Sequence, residues 1–290
     1  MIIAEIGRGL GNSMYVYAAA KALAEHHKTE LKLDITHIQS WPKFEKYGGD
    51  WDFTLGKFNI SAPIATNKEL RKYVWKTKFR PIDKLFRKYG LFEKNVHTFP
   101  THGRVKDFFK IPNNSYLLLY CGHQKFFQSI KDIIQKEFTL KDKYKTKIKT
   151  LLEKITKQDS VSLHVRRGDI LKIKDNNALD IEYYKKAIKI IKNKIKNPIY
   201  YVFSDDISWC KQNLNNLGIK LNFIEGNTTY EDLELMRNCK NNILANSAMS
   251  WWAGYLNSNP KKIVIAPKNF SHFKHQANND SLLSDWIKIT

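Results

Sequence analysis

Residues 162–169 read Ser-Leu-His-Val-Arg-Arg-Gly-Asp, and the predicted fold depends on this stretch. Successive side chains of a strand point to opposite faces, so Leu163 and Val165 share one face while His164 and Arg166 share the other. The apolar run then stops at two arginines and a glycine. Ligands of open α/β sheets bind at the carboxyl ends of strands, where a guanidinium can hold a phosphate through two parallel hydrogen bonds.

The second half of the chain alternates strands with helices, which predicts a parallel sheet covered on both faces. Strands are predicted at residues 161–165, 199–204, 221–224, 242–245 and 263–266. Asp180 is placed to cap one helix, and Gly218 to end the next. Taken alone, residues 162–169 fit a surface turn with a local salt bridge equally well. The regular alternation around them favours a ligand site.

The first half is less regular than the second. Residues 2–6 read as a strand, 7–12 as a glycine-rich turn, 13–26 as a helix and 31–35 as a strand. The glycine spacing differs from the dinucleotide fingerprint, so a structural turn is favoured over a cofactor site. Residues 36–114 predict short helices and long loops. A lysine-rich helix and hinge at 141–157 predicts two domains, 1–155 and 156–290.

The composition is that of a globular protein with a large positive charge. The chain has 290 residues, enough for two cores, and a net charge of +21. That charge suits nucleic acid, an anionic membrane or a phosphorylated substrate. A basic nucleic-acid-binding protein is the weaker hypothesis because no motif for it occurs. Three scattered cysteines, a strand-like N-terminus and no span-length apolar segment predict a cytoplasmic location, with contact to the inner face of the membrane left open.

Polar residues follow several of the predicted strands. They are Arg166, Arg167, Asp169, Ser204, Asp205, Asp206, Asn246, Ser247 and Ser250, the last three at a helix start. Because parallel strands end at one edge, these residues predict a nucleotide site with a cationic and an anionic part. Asp205 and Asp206 are also candidates for Mg²⁺ ligands. A helix cap and a hydrogen-bond acceptor are favoured instead, since arginine can neutralise a phosphate without a metal.

The same residues resemble the motifs of bacterial α-1,2-fucosyltransferases. The matching stretches, in the family's order, are residues 9–12, 164–169, 203–206 and 246–252. The first loop departs from the family pattern, because Ser13 replaces the usual Gln and Arg8 a usual Gly. That loop faces the acceptor in related enzymes, so these departures leave the choice of acceptor open.

The resemblance implies an α/β protein of the GT-B fold, in which two Rossmann-like domains face each other across a cleft. It implies that the C-terminal domain binds GDP-fucose and the N-terminal domain the acceptor. The implied reaction is inverting, metal-independent transfer of L-fucose in α-1,2 linkage to a terminal β-galactoside, as in making a bacterial surface glycan, with no cofactor. Transfer to another acceptor or in another linkage is the alternative. The oligomeric state is left open.

The resemblance also implies roles for single residues. Arg166 would be the catalytic residue and grip the β-phosphate, Arg167 and Asp169 would brace its loop, and His164 and Asp206 would contact the nucleoside. Asn246, Ser247 and Ser250 would surround the diphosphate, and Asp205 completes the donor-binding set. Gly9, Gly11 and Asn12 form the acceptor side. Glu5, Asp34, His97, His102 and His123 are further acceptor-side candidates, although a packing role is favoured for each and none is named as the base.

Overall fold

A computed structural model describes most of the chain. The described residues are 1–7, 9–39, 52–73, 95–99, 104–119, 122, 124–168, 170–174, 176–271 and 281–290. The expectations for Arg8, His102, His123 and Asp169 lie outside these ranges. The described residues form two compact units, one up to Glu137 and the other from Phe138 to Thr290.

Among its described residues, the first unit has a sheet of four parallel strands. The strands are β1 Ile2–Glu5, β2 Leu31–Asp34, β3 Val96–Phe99 and β4 Ser115–Leu119, in the spatial order β2-β1-β4-β3. The α-helices are Leu10–His26, Thr36–Gln39, Asn67–Leu70, Val105–Phe108 and Lys131–Glu137. The prediction of short helices and loops over 36–114 missed β3, a short edge strand whose residues are only partly buried.

The first long helix begins at Leu10, three positions before the predicted start at residue 13. Gly9 precedes it with a φ of 74°, a left-handed value that glycine adopts readily. Ser13 then donates its hydroxyl to the Gly7 carbonyl at 3.0 Å. Gly11 and Asn12 were predicted to lie in the turn, and this is wrong, because both belong to the first turn of the helix. The buried Leu10 explains the early start.

The second unit has a sheet of six parallel strands among its described residues. They are β5 Ser160–Val165, β6 Ile199–Ser204, β7 Leu221–Phe223, β8 Asn241–Ile243, β9 Val264–Pro267 and β10 Ile287–Ile289. Their spatial order is β10-β9-β8-β5-β6-β7, which puts β5 inside the sheet. The α-helices are Lys149–Lys157, Ile181–Lys194, Ile207–Leu214, Thr229–Asn238 and Ala248–Leu256. The parallel sheet is confirmed, whereas β10 was not predicted.

Local signals explain where helices of the second unit begin and end. The Asp180 side chain accepts the Tyr183 N–H at 3.0 Å, which is the predicted cap of the helix Ile181–Lys194. Gly218 has a φ of 63° and ends the turn Asn215–Leu217, as predicted. Val161, Leu163 and Val165 are fully buried in the core beneath the helix Ile181–Lys194. This packing fixes which side chains of β5 point to the other face.

The two units divide earlier than the sequence suggested. The division lies between Glu137 and Phe138, whereas the sequence placed it between residues 155 and 156. The helix Lys149–Lys157, predicted as part of a hinge, packs against β5 and the helix Thr229–Asn238. Its Ile155 is fully buried, so this helix belongs to the core of the second unit.

Candidate functional site

Arg166 follows β5 directly and reaches the carboxyl edge of the six-stranded sheet. Its Nη1 lies 3.0 Å from Asp205 Oδ2, and the two side chains are 31% and 24% exposed. An ion pair this accessible to water contributes about 0–1 kcal/mol, because water screens it. A phosphate group can therefore compete with Asp205 for the guanidinium.

Asp205 contacts the loop after β5 with both of its carboxylate oxygens. Its Oδ1 accepts the backbone N–H of Arg167 at 2.8 Å, while Oδ2 faces Arg166. At Gly168 a Cβ atom would come within 2.9 Å of Oδ2 and 3.2 Å of Cγ, so a larger residue would push the carboxylate aside. The loop is thus folded over Asp205, and the absence of a side chain at Gly168 lets the carboxylate keep this position.

Arg167 packs inward, unlike its neighbour. Its guanidinium carbon lies 3.9 Å from the ring centre of Trp209, in a cation–π contact. Its Nε is 3.7 Å from Asp206 Oδ2. Asp206 in turn accepts the Trp209 N–H at 3.0 Å and so caps the helix Ile207–Leu214. These contacts are those of a group that braces the loop.

His164 is buried on the face of β5 opposite to Val165. Burial, and secondarily the positive charge of Arg166, lower the pKa of His164 to about 3. Its Nδ1 has no hydrogen-bond partner among the described residues. The imidazole is therefore neutral at physiological pH, and one of its ring nitrogens is available to a ligand or a water.

Asn246 joins three loops at the carboxyl edge. Its Nδ2 donates to the Asn177 carbonyl at 2.6 Å and lies 3.3 Å from the Ser271 carbonyl. Asn177 also donates to Ser271, at 2.9 Å. The amide nitrogen of Asn246 is thus engaged by backbone, while its buried Oδ1 has no partner in the described part of the chain. Sequence reasoning missed Asn177, because its role arises only when these loops meet.

Ser247 and Ser250 lie at the start of the helix Ala248–Leu256. Ser247 is the N-cap residue of this helix, and the Ser247 carbonyl accepts the Trp251 N–H at 2.9 Å. Ser250 is fully buried, and its hydroxyl accepts the backbone N–H of Ala245 at 2.9 Å. Ser250 therefore shapes the connection between β8 and this helix.

The carboxyl edge of the first unit's sheet brings together two carboxylates and one phenol. The Tyr116 hydroxyl lies 2.9 Å from Glu5 Oε2 and 2.6 Å from Asp34 Oδ2. Asp34 Oδ1 also accepts the backbone N–H and the hydroxyl of Thr36 at 2.8 and 2.7 Å. Burial and the two negative charges raise the pKa of Tyr116, so it keeps its proton. Glu5 and Asp34 had been singled out from the sequence, whereas Tyr116 had not.

Four other predicted acceptor-side residues lie within the described ranges. Gly9 and Asn12 are exposed at the start of the helix Leu10–His26, and Gly11 is buried within it. His97 lies on the edge strand β3, and burial lowers its pKa.

Two general features of the described residues concern metals and membranes. No group of three His, Cys, Asp or Glu side chains within the described ranges could hold a metal ion. Over the same residues, no helix is long and apolar enough to cross a bilayer. Metal independence and location stay predictions.

A family model and one known protein match this chain over its whole length. The family model for Glycosyl transferase family 11 matches residues 1–290. An alpha-1,2-colitosyltransferase of Escherichia coli is 29% identical over 100% of this chain and 99% of that protein. Galactoside alpha-(1,2)-fucosyltransferase 2 of Rattus norvegicus is 28% identical over 45% of this chain and 40% of its own length.

A solved structure has the same fold. The NodZ alpha-1,6-fucosyltransferase, in a crystal soaked with GDP-fucose, superposes with a TM-score of 0.56 and 15% identity, covering 91% of this chain and 94% of that one. At this identity the likeness shows the fold alone. It confirms the predicted GT-B fold class, with α/β units built on parallel sheets.

Proposed function

This chain belongs to glycosyl transferase family 11, and we propose that it transfers L-fucose from GDP-β-L-fucose in α-1,2 linkage to a terminal β-galactoside of a glycan. In this reaction the acceptor 2-hydroxyl oxygen forms a bond to the fucose C1 and gives up its proton. The bond from C1 to the β-phosphate oxygen breaks on the opposite face, and GDP leaves with the electron pair. The configuration at C1 is thereby inverted.

The observation that carries this proposal is the position of Arg166. Its guanidinium stands at the carboxyl edge of the six-stranded sheet, partly exposed and paired with Asp205 in an ion pair that water screens. As the C1–oxygen bond breaks, negative charge grows on the β-phosphate. A fixed cation stabilises that charge more in the transition state than in the ground state, which accelerates the reaction.

Other residues of the same edge support donor binding. His164 is neutral and buried, with an unpartnered ring nitrogen that suits a hydrogen bond to the nucleoside. Arg167 stacks on Trp209 and holds the loop that carries Arg166. Asn246 ties the loops after β5, β8 and β9 together. We assign these roles to the second unit and acceptor binding to the first.

A second candidate donor is GDP-colitose, whose sugar is fucose without its 3-hydroxyl. The colitosyltransferase of Escherichia coli matches this chain over its full length, and that match favours this candidate. A site that hydrogen-bonds the 3-hydroxyl discriminates strongly against the deoxy sugar, because its polar groups are left unpaired. A site of that kind would transfer the two sugars at clearly different rates.

The test is to incubate the protein with GDP-fucose or GDP-colitose and a panel of β-galactosides, and to assign the product linkage by NMR. An α-1,2-fucosylated galactoside is the expected product. Faster transfer from GDP-colitose would reassign the donor. A product with another linkage, or on another acceptor, would reassign the linkage or the acceptor. Absence of transfer from both donors, with no binding of GDP, would refute the proposal.

We also propose that the reaction needs no metal, since arginine and the helix start at Ser247 can neutralise the diphosphate. Activity should therefore survive EDTA. Loss of activity in EDTA with recovery in Mg²⁺ or Mn²⁺ would make Asp205 and Asp206 metal ligands.

The assignment of the donor to the second unit can be tested without turnover. GDP should slow amide hydrogen exchange most at residues 165–168, 204–207 and 245–248. Protection centred on residues 9–12 would exchange the roles of the two units.

A further inference from the structure

We infer that Asp205 is a positioning residue that limits how tightly Arg166 holds GDP, and so favours release of the product. The inference rests on the proposed function, because it concerns how the same site handles a nucleoside diphosphate. It assigns Asp205 a role distinct from that of a direct donor ligand or a metal ligand.

The carboxylate of Asp205 is held beside Arg166 by a backbone hydrogen bond. The Arg167 N–H donates to Oδ1 at 2.8 Å, and Gly168, which has no side chain, leaves room for Oδ2, since a Cβ there would come within 2.9 Å of it. The hydrogen bond does not depend on the Arg166 side chain. Asp205 therefore stays in place when Arg166 turns toward another anion.

When GDP is bound, the β-phosphate and a carboxylate of the protein compete for Arg166. The carboxylate is that of Asp205, 3.0 Å from Nη1 in the free protein. The bound diphosphate also lies near a carboxylate of the same sign, and such charges repel each other. Both effects weaken the binding of GDP.

The charges of the four side chains in these two ion pairs point the same way. Arg167 lies 3.7 Å from Asp206, so each arginine of the pair has its own aspartate. Two cations and two carboxylates give these four side chains no net formal charge. Such an edge holds a diphosphate less tightly than two unopposed arginines would, which suits a site that must empty after each turnover.

The variant Asp205→Asn separates the charge from the geometry. Asparagine keeps the size of the side chain and a carbonyl oxygen for the Arg167 N–H, but it removes the negative charge. We expect the Kd of GDP, measured by calorimetry, to fall about fivefold, because the competing ion pair is a weak, exposed one. The KM of the sugar nucleotide should fall with it, while kcat should not rise.

The sign of the change in Kd decides between the possible roles of Asp205. If Asp205 binds the donor or a metal directly, Asp205→Asn weakens GDP binding, and the inference is overturned. If its role is only structural, the melting temperature falls while the Kd of GDP and the donor KM are unchanged, which also overturns it. Asp205→Ala, which removes the acceptor for Arg167 as well, should lower both the melting temperature and kcat.

Two further variants serve as controls. Asp206→Asn makes the same chemical change one residue along, and asparagine can still cap the helix Ile207–Leu214. It should tighten GDP binding less than Asp205→Asn, because Asp206 faces Arg167 at the longer distance. Asp142→Asn removes an exposed charge that pairs with Lys145 and should leave the Kd of GDP unchanged. Equal tightening in all three variants would reduce the effect to net charge and overturn the inference.

The proposed function and this inference fail in different ways. A wild-type protein that neither binds GDP nor transfers a sugar from a GDP-linked donor refutes both. A wild-type protein that does so, with an Asp205→Asn variant that binds GDP equally or more weakly, refutes the inference and leaves the proposed function intact.

Discussion

At the carboxyl edge of the second unit's sheet two arginines face two aspartates, whereas at the same edge of the first unit's sheet two carboxylates approach one tyrosine hydroxyl. Both sheets are parallel and present their strand ends in the same manner. The edge of the second unit balances positive with negative charge. The edge of the first unit depends on the position of a proton, because one hydroxyl can donate to only one carboxylate at a time.

The comparison shows that a shared sheet architecture does not determine the chemistry at its edge. At the second unit's edge each arginine lies beside an aspartate of opposite charge, and the pairs are partly exposed to water. A phenol between carboxylates lies in the buried interior, where an unmade hydrogen bond is costly. We therefore expect substitutions at the second unit's edge to affect turnover, and those at the first unit's edge to affect stability.

The largest expected effect comes from Arg166→Lys. Lysine keeps the charge but loses the planar fork that binds a phosphate bidentately. We expect kcat to fall by about 10²–10³, as when one preorganised anion-stabilising donor is removed. The melting temperature should hold, because the Arg166 side chain is partly exposed and lysine keeps its charge. Near-normal turnover, or a loss explained wholly by unfolding, would contradict the assignment.

Arg167→Lys is the matched variant for that experiment. It makes the same change at the arginine that stacks on Trp209. We expect a smaller loss of kcat and a larger loss of melting temperature than for Arg166→Lys. The reverse order would mean that Arg167 is the phosphate ligand.

The next largest effect should come from Tyr116→Phe in the first unit. The change removes the hydroxyl from both carboxylates and leaves Asp34 buried without this donor. We expect a loss of about 1–3 kcal/mol in the free energy of unfolding, measured in urea at pH 7. Tyr200→Phe is the control, because its hydroxyl makes only a long contact of 3.5 Å to the Ile188 carbonyl. Equal losses in both variants would mean that the contacts of the Tyr116 hydroxyl with the two carboxylates add nothing to stability.

A smaller, pH-dependent effect is expected at His164. Its pKa is lowered from 6.5 to about 3 by burial, so the unfolded chain takes up a proton below pH 6.5 that the folded protein does not. Stability from this residue is therefore lost as pH falls, with a slope of at most about 1.4 kcal/mol per pH unit. Urea unfolding at pH 7, 6 and 5 should show a shallower decline for His164→Asn than for the wild type. Parallel declines would mean that the folded protein protonates His164 as readily as the unfolded chain does.

The smallest effect should come from Asp232→Asn, and at this residue the pH dependence of stability is opposite to that at His164. Burial raises the pKa of Asp232 from 3.8 to about 6, so its contribution to stability is present below pH 3.8 and is lost as pH rises through 6. Asparagine imitates the protonated form and keeps an oxygen for Asn227. We expect the free energy of unfolding, measured in urea, to rise by about 1 kcal/mol at pH 7.5 and to be unchanged at pH 3.5. A gain of equal size at both pH values would show that the protonation of Asp232 is not the cause of the stabilisation.

The two edges also differ in how far the sequence predicts them. The arginine loop was predictable because β5 is a run of buried residues that stops abruptly at charged ones, within one continuous stretch. The cluster of Glu5, Asp34 and Tyr116 comes from three strands, and a long segment without a regular period separates the strand of Tyr116 from the other two. Each residue alone reads as a packing residue, and only the sheet brings them together.

Short or unusual elements escaped prediction for physical reasons. β3 and β10 have four and three residues, too few for an alternation to stand out. The glycine-rich stretch predicted a turn over residues 7–12, yet the helix runs through Gly11 because Leu10 and Met14 are buried. Asn177 carries no signal at all, since its partners lie in the loop after β9.

The inner position of β5 has a consequence for how the second unit forms during folding. β5 pairs on one side with β6, the next strand along the chain, and on the other with β8, about 80 residues later. Closing the longer loop is entropically more costly, so pairing with β6 should come first. That first pairing already brings Asp205 to the Arg166 loop. The anion-binding loop would thus take shape early, while the Asn246 junction waits for the later strands to be synthesised and docked.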